Sequence, residues 1–436
     1  MSYNLESFCP EPWSQIEIDS AGDFKICCLA NFNQTFGLAM DSSGRVLNIM
    51  TDTIQAAQNS QSHRDHRLEL SRNTQPQQCR SCYDSERATA AGARPVSKRQ
   101  RVLRQSQGET PGYVSVETAA QVTDRQGGTS APIVNLDLRL GNTCNYKCIM
   151  CSPRESSLWM EDYPRLQQLR GGEQIVNKGQ RRIPIRITEQ GKPRIDHTEW
   201  WQTDRWWQQF DTVKDTLCYV YFTSGEPLLA PAMTACLDRM ISWGRASEIT
   251  LRYDTNLSAL NPRVMERWQH FRRVRLCVSI DDTEDRYELI RFPGRWTRFD
   301  ENLTLIQENN IEVEYLSSCI GLASPLSMTR VADYADQRNL PLYFRFLEGP
   351  RFFDLRILPK TAKRWLQNQL RQAGGSQRAQ QWYSAEQTLL EDYISSEDLD
   401  QVREFVRFMD CLDLLRGTEW RQTLPDVVTM LSHCDL

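Results

Sequence analysis

Three cysteines, Cys144, Cys148 and Cys151, close the run Leu138-Arg139-Leu140-Gly141-Asn142-Thr143-Cys144-Asn145-Tyr146-Lys147-Cys148-Ile149-Met150-Cys151. The spacing Cys-x3-Cys-x2-Cys puts three thiolates on one short loop, enough to hold three irons of a four-iron cluster. The fourth iron is then open to another ligand, by analogy with catalytic metal sites, which keep an open position where structural sites do not. Zinc is the alternative. It normally takes four ligands, and the five histidines, at 63, 66, 197, 270 and 433, lie away from this loop.

A second group lies near the N-terminus. Cys9 is followed by twelve residues, Gly22, four residues and Cys27. Cys79-x2-Cys82 comes later, followed by Tyr83, Glu86 and Gly92. Four thiolates are enough to close a second cluster, and with no iron left open such a cluster suits electron transfer. A four-cysteine set also suits a structural zinc. Cys28 competes with Cys27, and the spacing favours Cys27. Eight of the fourteen cysteines precede residue 152. The other six, at 218, 236, 277, 319, 411 and 434, sit in largely apolar stretches and read as core packing. Cys319, at the end of a strand, and Cys434, near the C-terminus, are also candidate hydrogen-atom donors, since a thiol S–H can quench a substrate radical.

The elements that would position these groups follow from hydrophobic pattern. Apolar runs of strand length lie at 133–140, 217–223, 248–254, 274–280, 313–319 and 342–347. Helical patterns fall between them at 231–243, 262–271, 297–308 and 327–338. This alternation predicts an α/β fold, a partial, open (β/α)6 TIM-like barrel, because six strands are too few to close an eight-stranded one. The three-cysteine loop follows the first strand, at the C-terminal end where β/α barrels place their active sites. Residues 1–100 read as a small cysteine-rich domain with a hairpin, strands at 15–18 and 24–29 about the turn Ala21-Gly22-Asp23. Residues 101–131, rich in Gln, Ser, Thr and Gly with Pro111 and Gly127-Gly128, read as a linker. Residues 132–350 form the barrel, with an insertion at 152–216 that carries Trp159, Trp200, Trp201, Trp206 and Trp207 and reads as packing against it. Residues 351–436 read as helical, with a periodic stretch at 399–415 ending at Gly417.

Charge and hydropathy set limits on partners. Fifty-two Lys and Arg against 56 Asp and Glu leave a net charge of −4, so no global basic excess holds nucleic acid. Lys98-Arg99-Gln100-Arg101 is a basic run without interleaved aromatics, and reads as solvated. No run reaches the roughly 18 apolar residues of a membrane helix. The start MSYNLESFCPEPW has neither a basic nor an apolar signal region, and clustered cysteines suit a reducing cytoplasm.

The three-cysteine spacing after a first barrel strand resembles the radical SAM superfamily, and further motifs agree. Tyr221-Phe222-Thr223-Ser224-Gly225-Glu226-Pro227 looks like the family's Gly-Gly-Glu-Pro motif, with Ser224 in place of the first glycine; a backbone contact survives that change if Ser224 keeps φ below zero. Asp254-Thr255-Asn256 is similar to the family's Thr-Asn turn. Val278-Ser279-Ile280-Asp281 ends the fourth strand as in related enzymes, with Arg291 after it. The resemblance implies that Ser224, Gly225, Glu226, Pro227 and Asn256 contact S-adenosylmethionine, and that Ser279 and Arg291 hold its ribose or carboxylate. It also puts Met150, where an aromatic residue is usual, on the adenine edge. The fifth strand lacks the Gly-rich adenine motif of many members.

The Cys-x(9–15)-Gly-x4-Cys start resembles the SPASM/twitch auxiliary-cluster domain, here shortened and placed before the barrel, as in twitch domain-containing radical SAM proteins. With that group the likeness extends to Arg416-Gly417 and Leu424-Pro425. The resemblance implies a [4Fe-4S] cluster with an open iron, an auxiliary [4Fe-4S] cluster on Cys9, Cys27, Cys79 and Cys82, and S-adenosylmethionine as cofactor. It implies reductive cleavage to a 5′-deoxyadenosyl radical that abstracts a substrate hydrogen. A peptide or protein side chain is the expected substrate; a sugar or nucleotide, or a non-catalytic metal-binding scaffold, are the alternatives. An electron donor such as flavodoxin or ferredoxin is implied as partner.

Overall fold

A computed structural model describes residues 3–30, 37–90, 97–109, 112–170, 185–187, 193–195, 199–347, 349–373 and 397–435. Gly92, Pro111 and the segment 374–396 lie outside the described residues. The main sheet is built from β1 (Gln15–Ile18), β2 (Phe24–Lys25), β3 (Asn135–Arg139), β4 (Tyr219–Thr223), β5 (Thr250–Thr255), β6 (Arg273–Ser279), β7 (Glu312–Ile320) and β8 (Leu342–Phe346). Their order is β8-β7-β6-β5-β4-β3-β1-β2, and every neighbouring pair is parallel except β1 with β2. The expected six strands are β3 to β8, and the helices Pro231–Ser242, Pro262–Trp268, Trp296–Glu308 and Ser327–Gln337 lie between them as expected. The sheet does not close, so the barrel is a partial one.

Alternation along the strands sorts the two faces. Leu136, Leu138, Val220, Phe222, Leu251, Tyr253, Leu276, Val278, Leu316 and Ile320 are buried in the main core. The register aligns the other face as Asp137 beside Tyr221 and Arg252, Asp254 beside Cys277 and Tyr315, and Cys319 beside Arg345. A half-buried strand normally shows water its polar side. Here that side is only partly exposed and carries paired charges, Arg252 to Glu314 at 2.8 Å and Arg139 to Glu17 at 2.8 Å.

Two expectations change. The N-terminal region does not stand apart from the barrel, because β1 extends the same sheet, pairing Gln15 with Asn135 and Glu17 with Asp137. Nor is 101–131 a free linker. It contains part of the helix Lys98–Arg104 and the helix Val116–Val122, both started by Ser capping boxes. Val114, Ala119 and Ala131 join Phe8, Trp13 and Leu70 in a second, smaller core. Fully buried Arg67 ties the segment down, donating to the carbonyls of Gly127 (2.6 Å), Pro12 (2.6 Å) and Gln58 (3.0 Å). The Ser and Thr that read as linker composition are caps and turn residues, which use the same chemistry.

The tryptophan-rich insertion packs as expected. Trp159, Trp200 and Trp206 are wholly buried. Trp200 donates its indole N–H to the Asp19 carbonyl at 3.1 Å, and Arg205 donates to the Ile49 carbonyl at 3.0 Å, so the insertion braces the N-terminal hairpin. Near the C-terminus the helix Leu399–Arg416 ends at Gly417, whose φ of +65° is the left-handed cap that glycine favours.

Candidate active site and second cysteine site

β3 hands the chain to the three-cysteine loop through Gly141, at φ +86°. A Cβ there would stand 2.8 Å from Cη2 of Trp201, so glycine is needed for conformation and for room. The loop is then pinned by its backbone. Lys147 N–H donates to the Phe292 carbonyl at 2.7 Å and Ile149 N–H to the Ile290 carbonyl at 2.9 Å. Trp159 Nε1 donates to the Cys148 carbonyl at 2.9 Å, and the Ser157 hydroxyl accepts from the Cys144 N–H at 3.2 Å. Cys148 is buried, and Cys144 and Cys151 are half-buried. Burial pushes the Cys144 thiol up to about 12. The hydrogen bond from Cys151 holds the Cys148 thiol below its ordinary value, helped by the charges of Arg291 and Arg416.

The Ser224–Pro227 turn sits directly on this loop. Glu226 N–H donates to the Thr143 carbonyl at 2.8 Å, and a Cβ on Gly225 would meet that carbonyl oxygen at 2.4 Å. Ser224 does not keep a negative φ; it stands at +81°, and its hydroxyl donates to the Gly141 carbonyl at 2.9 Å. That bond joins the two turns and offsets part of the left-handed strain. The Glu226 carboxylate is buried. One oxygen accepts from Thr255 Oγ1 (2.7 Å) and Leu228 N–H (3.1 Å), the other from Asn256 N–H (2.7 Å). Burial raises its pKa to about 7 against those bonds. Asn256 Nδ2 lies 3.9 Å from Cys144 Sγ. The loop, Ser224, Gly225, Glu226, Pro227 and Asn256 therefore meet at the C-terminal ends of β3, β4 and β5.

Arg291, Asp281 and Cys319 form the neighbouring group. Arg291 Nη2 pairs with Asp281 at 2.7 Å, while its Nε has no partner. Asp281, at φ +64°, also accepts from the Cys319 N–H at 2.7 Å. Burial pushes the Cys319 thiol up to about 12. Ser279 is half-buried on the polar face and Met150 half-buried against the core. Sequence reasoning gave no role to Asp281 or Asp162, only packing to Trp159, and none to Arg416 beyond its place in a resembling stretch.

The second site draws on distant segments. Cys9, Cys27, Cys79, Cys82, His66 and Lys98 line one cavity. The pieces are held together by Tyr83, whose hydroxyl donates to the Ser7 carbonyl at 2.7 Å, and by Arg99, which donates to the Phe8 carbonyl at 2.9 Å. Cys28 is absent from that lining, although Lys98 Nζ donates to both Cys27 (3.3 Å) and Cys28 (3.2 Å) and pairs with Glu11 at 3.0 Å. His66 Nε2 lies 3.5 Å from Cys79 Sγ. His66 lies in no sequence motif, and the basic run Lys98-Arg99-Gln100-Arg101, read from the sequence as solvated, is not: Lys98 turns inward to Glu11, Cys27 and Cys28, and Arg99 is buried. Burial pushes the Cys82 thiol up to about 11. Any metal bound there would have to expel protons from buried thiols.

Both donor sets fit iron–sulfur clusters. Each offers clustered thiols, and the first is flanked by buried guanidinium N–H groups with no partner, on Arg291 and Arg416. Among the described residues, no three His, Cys, Asp or Glu side chains converge on a single metal ion.

Comparison with known proteins agrees with this division. Residues 138–323 match the radical SAM superfamily, and residues 9–83 match an iron–sulfur cluster-binding domain, SPASM. No curated protein matches the chain. Among solved structures, native anSMEcpe with bound AdoMet is 15% identical over 54% of this chain and 59% of its own, with a TM-score of 0.37. Streptococcus suis SuiB bound to precursor peptide SuiA is 14% identical over 54% of each chain, at a TM-score of 0.27. SuiB alone is 13% identical over 77% of this chain and 71% of its own, at 0.28. The chain thus spans less than two thirds of the length of the first of these.

Proposed function

We propose that this chain, with its radical SAM match at 138–323 and its iron–sulfur cluster-binding SPASM match at 9–83, is a radical SAM enzyme that modifies a peptide or protein side chain bound on the polar face of the sheet. The observation that carries the proposal is the meeting of the Cys144–Cys151 loop, the Ser224–Pro227 turn and the Thr255-Asn256 turn beside that face. Cys144, Cys148 and Cys151 hold the [4Fe-4S] cluster with an open iron, and Cys9, Cys27, Cys79 and Cys82 hold the auxiliary one. Radical SAM chemistry is the reductive cleavage of S-adenosylmethionine to a 5′-deoxyadenosyl radical that takes a hydrogen atom from substrate.

The chain's own residues supply position. Ser224, Gly225, Glu226, Pro227 and Asn256 shape the seat of the amino group, Ser279 and the free Nε of Arg291 that of the ribose or carboxylate, and Met150 the adenine edge. Asp281 fixes the rotamer of Arg291 through their ion pair. Cys319 keeps its proton at neutral pH, so its S–H can give a hydrogen atom to a substrate radical. The S–H bond breaks, a C–H bond forms, and the sulfur radical returns to thiol with one electron from a donor such as flavodoxin or ferredoxin and one proton from water.

Support for a peptide comes from the auxiliary domain, which peptide-modifying relatives in the resembling group carry, and from access. Tyr343 is half-buried and Arg345 exposed on the outermost strand, β8, so a chain can reach the face from the side. All fourteen cysteines are free of disulfides, which suits a reducing cytoplasm. No described helix is long and apolar enough to cross a membrane.

The test is 5′-deoxyadenosine formation by anaerobic protein with S-adenosylmethionine and a reductant, wild type against Cys148→Ala, with and without fractionated host extract. Product from wild type alone, stimulated by a peptide fraction, is the expected result. Stimulation only by small molecules would replace the peptide with a metabolite.

A further inference from the structure

Arg416 is the last residue of the helix Leu399–Arg416, far in sequence from the three-cysteine loop. Its side chain is only 2% exposed. Nε donates to Asp162 at 3.0 Å, and Asp162 pairs in turn with Lys147 at 2.7 Å, the residue before Cys148. The guanidinium lies over Trp159, 4.7 Å from the ring centroid, and 5.1 Å from that of Phe292. Trp159 holds the Cys148 carbonyl, and the Phe292 carbonyl holds the Lys147 N–H. Arg416 is therefore clamped between two groups that support the cysteine loop.

Its remaining two nitrogens are the anomaly. Nη1 and Nη2 are buried with no hydrogen-bond partner. A buried, unsatisfied guanidinium edge is costly, and the group is retained only where something satisfies it. The charge of Arg416 helps hold the thiol of Cys148 below its ordinary value, and Cys148 is the residue whose carbonyl Trp159 grips beneath the guanidinium. The stacking and the Asp162 bond fix the plane of the guanidinium, so its N–H groups cannot turn away to water.

We infer that Arg416 is a positioning residue for the radical site: it supplies positive charge and two N–H donors to the cluster held by Cys144, Cys148 and Cys151, and so raises that cluster's reduction potential. This rests on the reading of those cysteines as cluster ligands. Cluster potentials follow net charge and hydrogen bonds to the sulfurs. The C-terminal helix is then part of the redox site, and Asp162, by sharing the charge, moderates it.

The test is a redox titration of the full-length, iron-replete protein followed by EPR, in which added S-adenosylmethionine marks the cluster with the open iron. Arg416→Met is expected to keep its iron and to shift that cluster's potential negative, leaving the auxiliary cluster unmoved. Arg416→Lys, which keeps charge but not the fork, should shift it less. Asp162→Asn removes the moderating carboxylate and should shift it positive, a change of sign that a merely structural role does not produce. It also serves if Arg416→Met fails to fold. Unchanged potentials in iron-replete variants would overturn the inference. Loss of the S-adenosylmethionine-responsive signal from unsubstituted protein would instead remove the ligand reading beneath it.

Discussion

The two cysteine sites are built on opposite plans. The radical site takes its three thiols from one loop of eight residues, and distant groups come to it: Trp159, Phe292, Arg291 and Arg416. The N-terminal site takes four thiols from three segments, gathered around Lys98 and His66 and tied by single long-range bonds such as Tyr83 to the Ser7 carbonyl and Arg99 to the Phe8 carbonyl. In the first case the fold makes the site without needing the metal, because backbone bonds already fix the loop. In the second, metal ligation is a fastening between segments, so its loss must be felt in stability.

That contrast is broken or sharpened first by removing ligands. Cys148→Ala should abolish 5′-deoxyadenosine formation and lower iron from about eight to about four per chain, with little change in the thermal unfolding of the rest. Cys82→Ala should lower iron by a similar amount but leave the S-adenosylmethionine-responsive EPR signal in place, and should lower the melting temperature, because four ligands close a long chain path. Equal destabilisation by the two variants would remove the distinction.

Backbone constraint is the next test. Gly141→Ala needs φ +86° from an alanine and puts a methyl against Trp201. The expected cost is about 2–4 kcal/mol, from left-handed strain and overpacking together, read by denaturant unfolding. An equivalent change at Gly44, where an added Cβ meets nothing, carries only the conformational part of that cost.

Glu226 adds a pH signature to the radical site. Its folded pKa of about 7 lies above the ordinary carboxyl value. The folded state therefore binds its proton more tightly than the unfolded chain. Stability from this group is fully present below about pH 4.5 and is lost as pH rises through 7, by at most about 1.4 kcal/mol per pH unit. In Glu226→Gln this contribution to the pH dependence should vanish. A wild-type slope retained in the variant would show that the titration belongs elsewhere.

What the sequence disclosed follows the range of the interactions. The six barrel strands were legible because alternation of apolar residues is local, and the three-cysteine loop because its spacing is. β1 was legible as a strand but not as a parallel neighbour of β3, since Gln15 meets Asn135 across 120 residues and no local pattern marks such a pairing. Residues 101–131 misled because Ser115 and Thr118 form a helix capping box there, and capping and linker sequences share a composition. The pairing of Arg416 with Asp162, 254 residues apart, left no local signal, although Arg416 lies in a resembling stretch.

The smallest expected effect isolates the strain that only the radical site carries in its motif. Ser224 stands at φ +81°, a conformation costing a non-glycine residue about 1–3 kcal/mol. Its hydroxyl recovers about 1 kcal/mol through the bond to the Gly141 carbonyl. Ser224→Gly removes both terms and adds the chain entropy that glycine loses on folding, about 0.5–1 kcal/mol. The three nearly cancel, so stability should move by under about 1 kcal/mol, and affinity for S-adenosylmethionine by calorimetry should stay within about threefold. Ser224→Ala keeps the strain and loses the bond, so it should be the worse of the two. If alanine equals serine, the hydroxyl bridge between the two turns contributes nothing, and the serine is held there by the backbone alone.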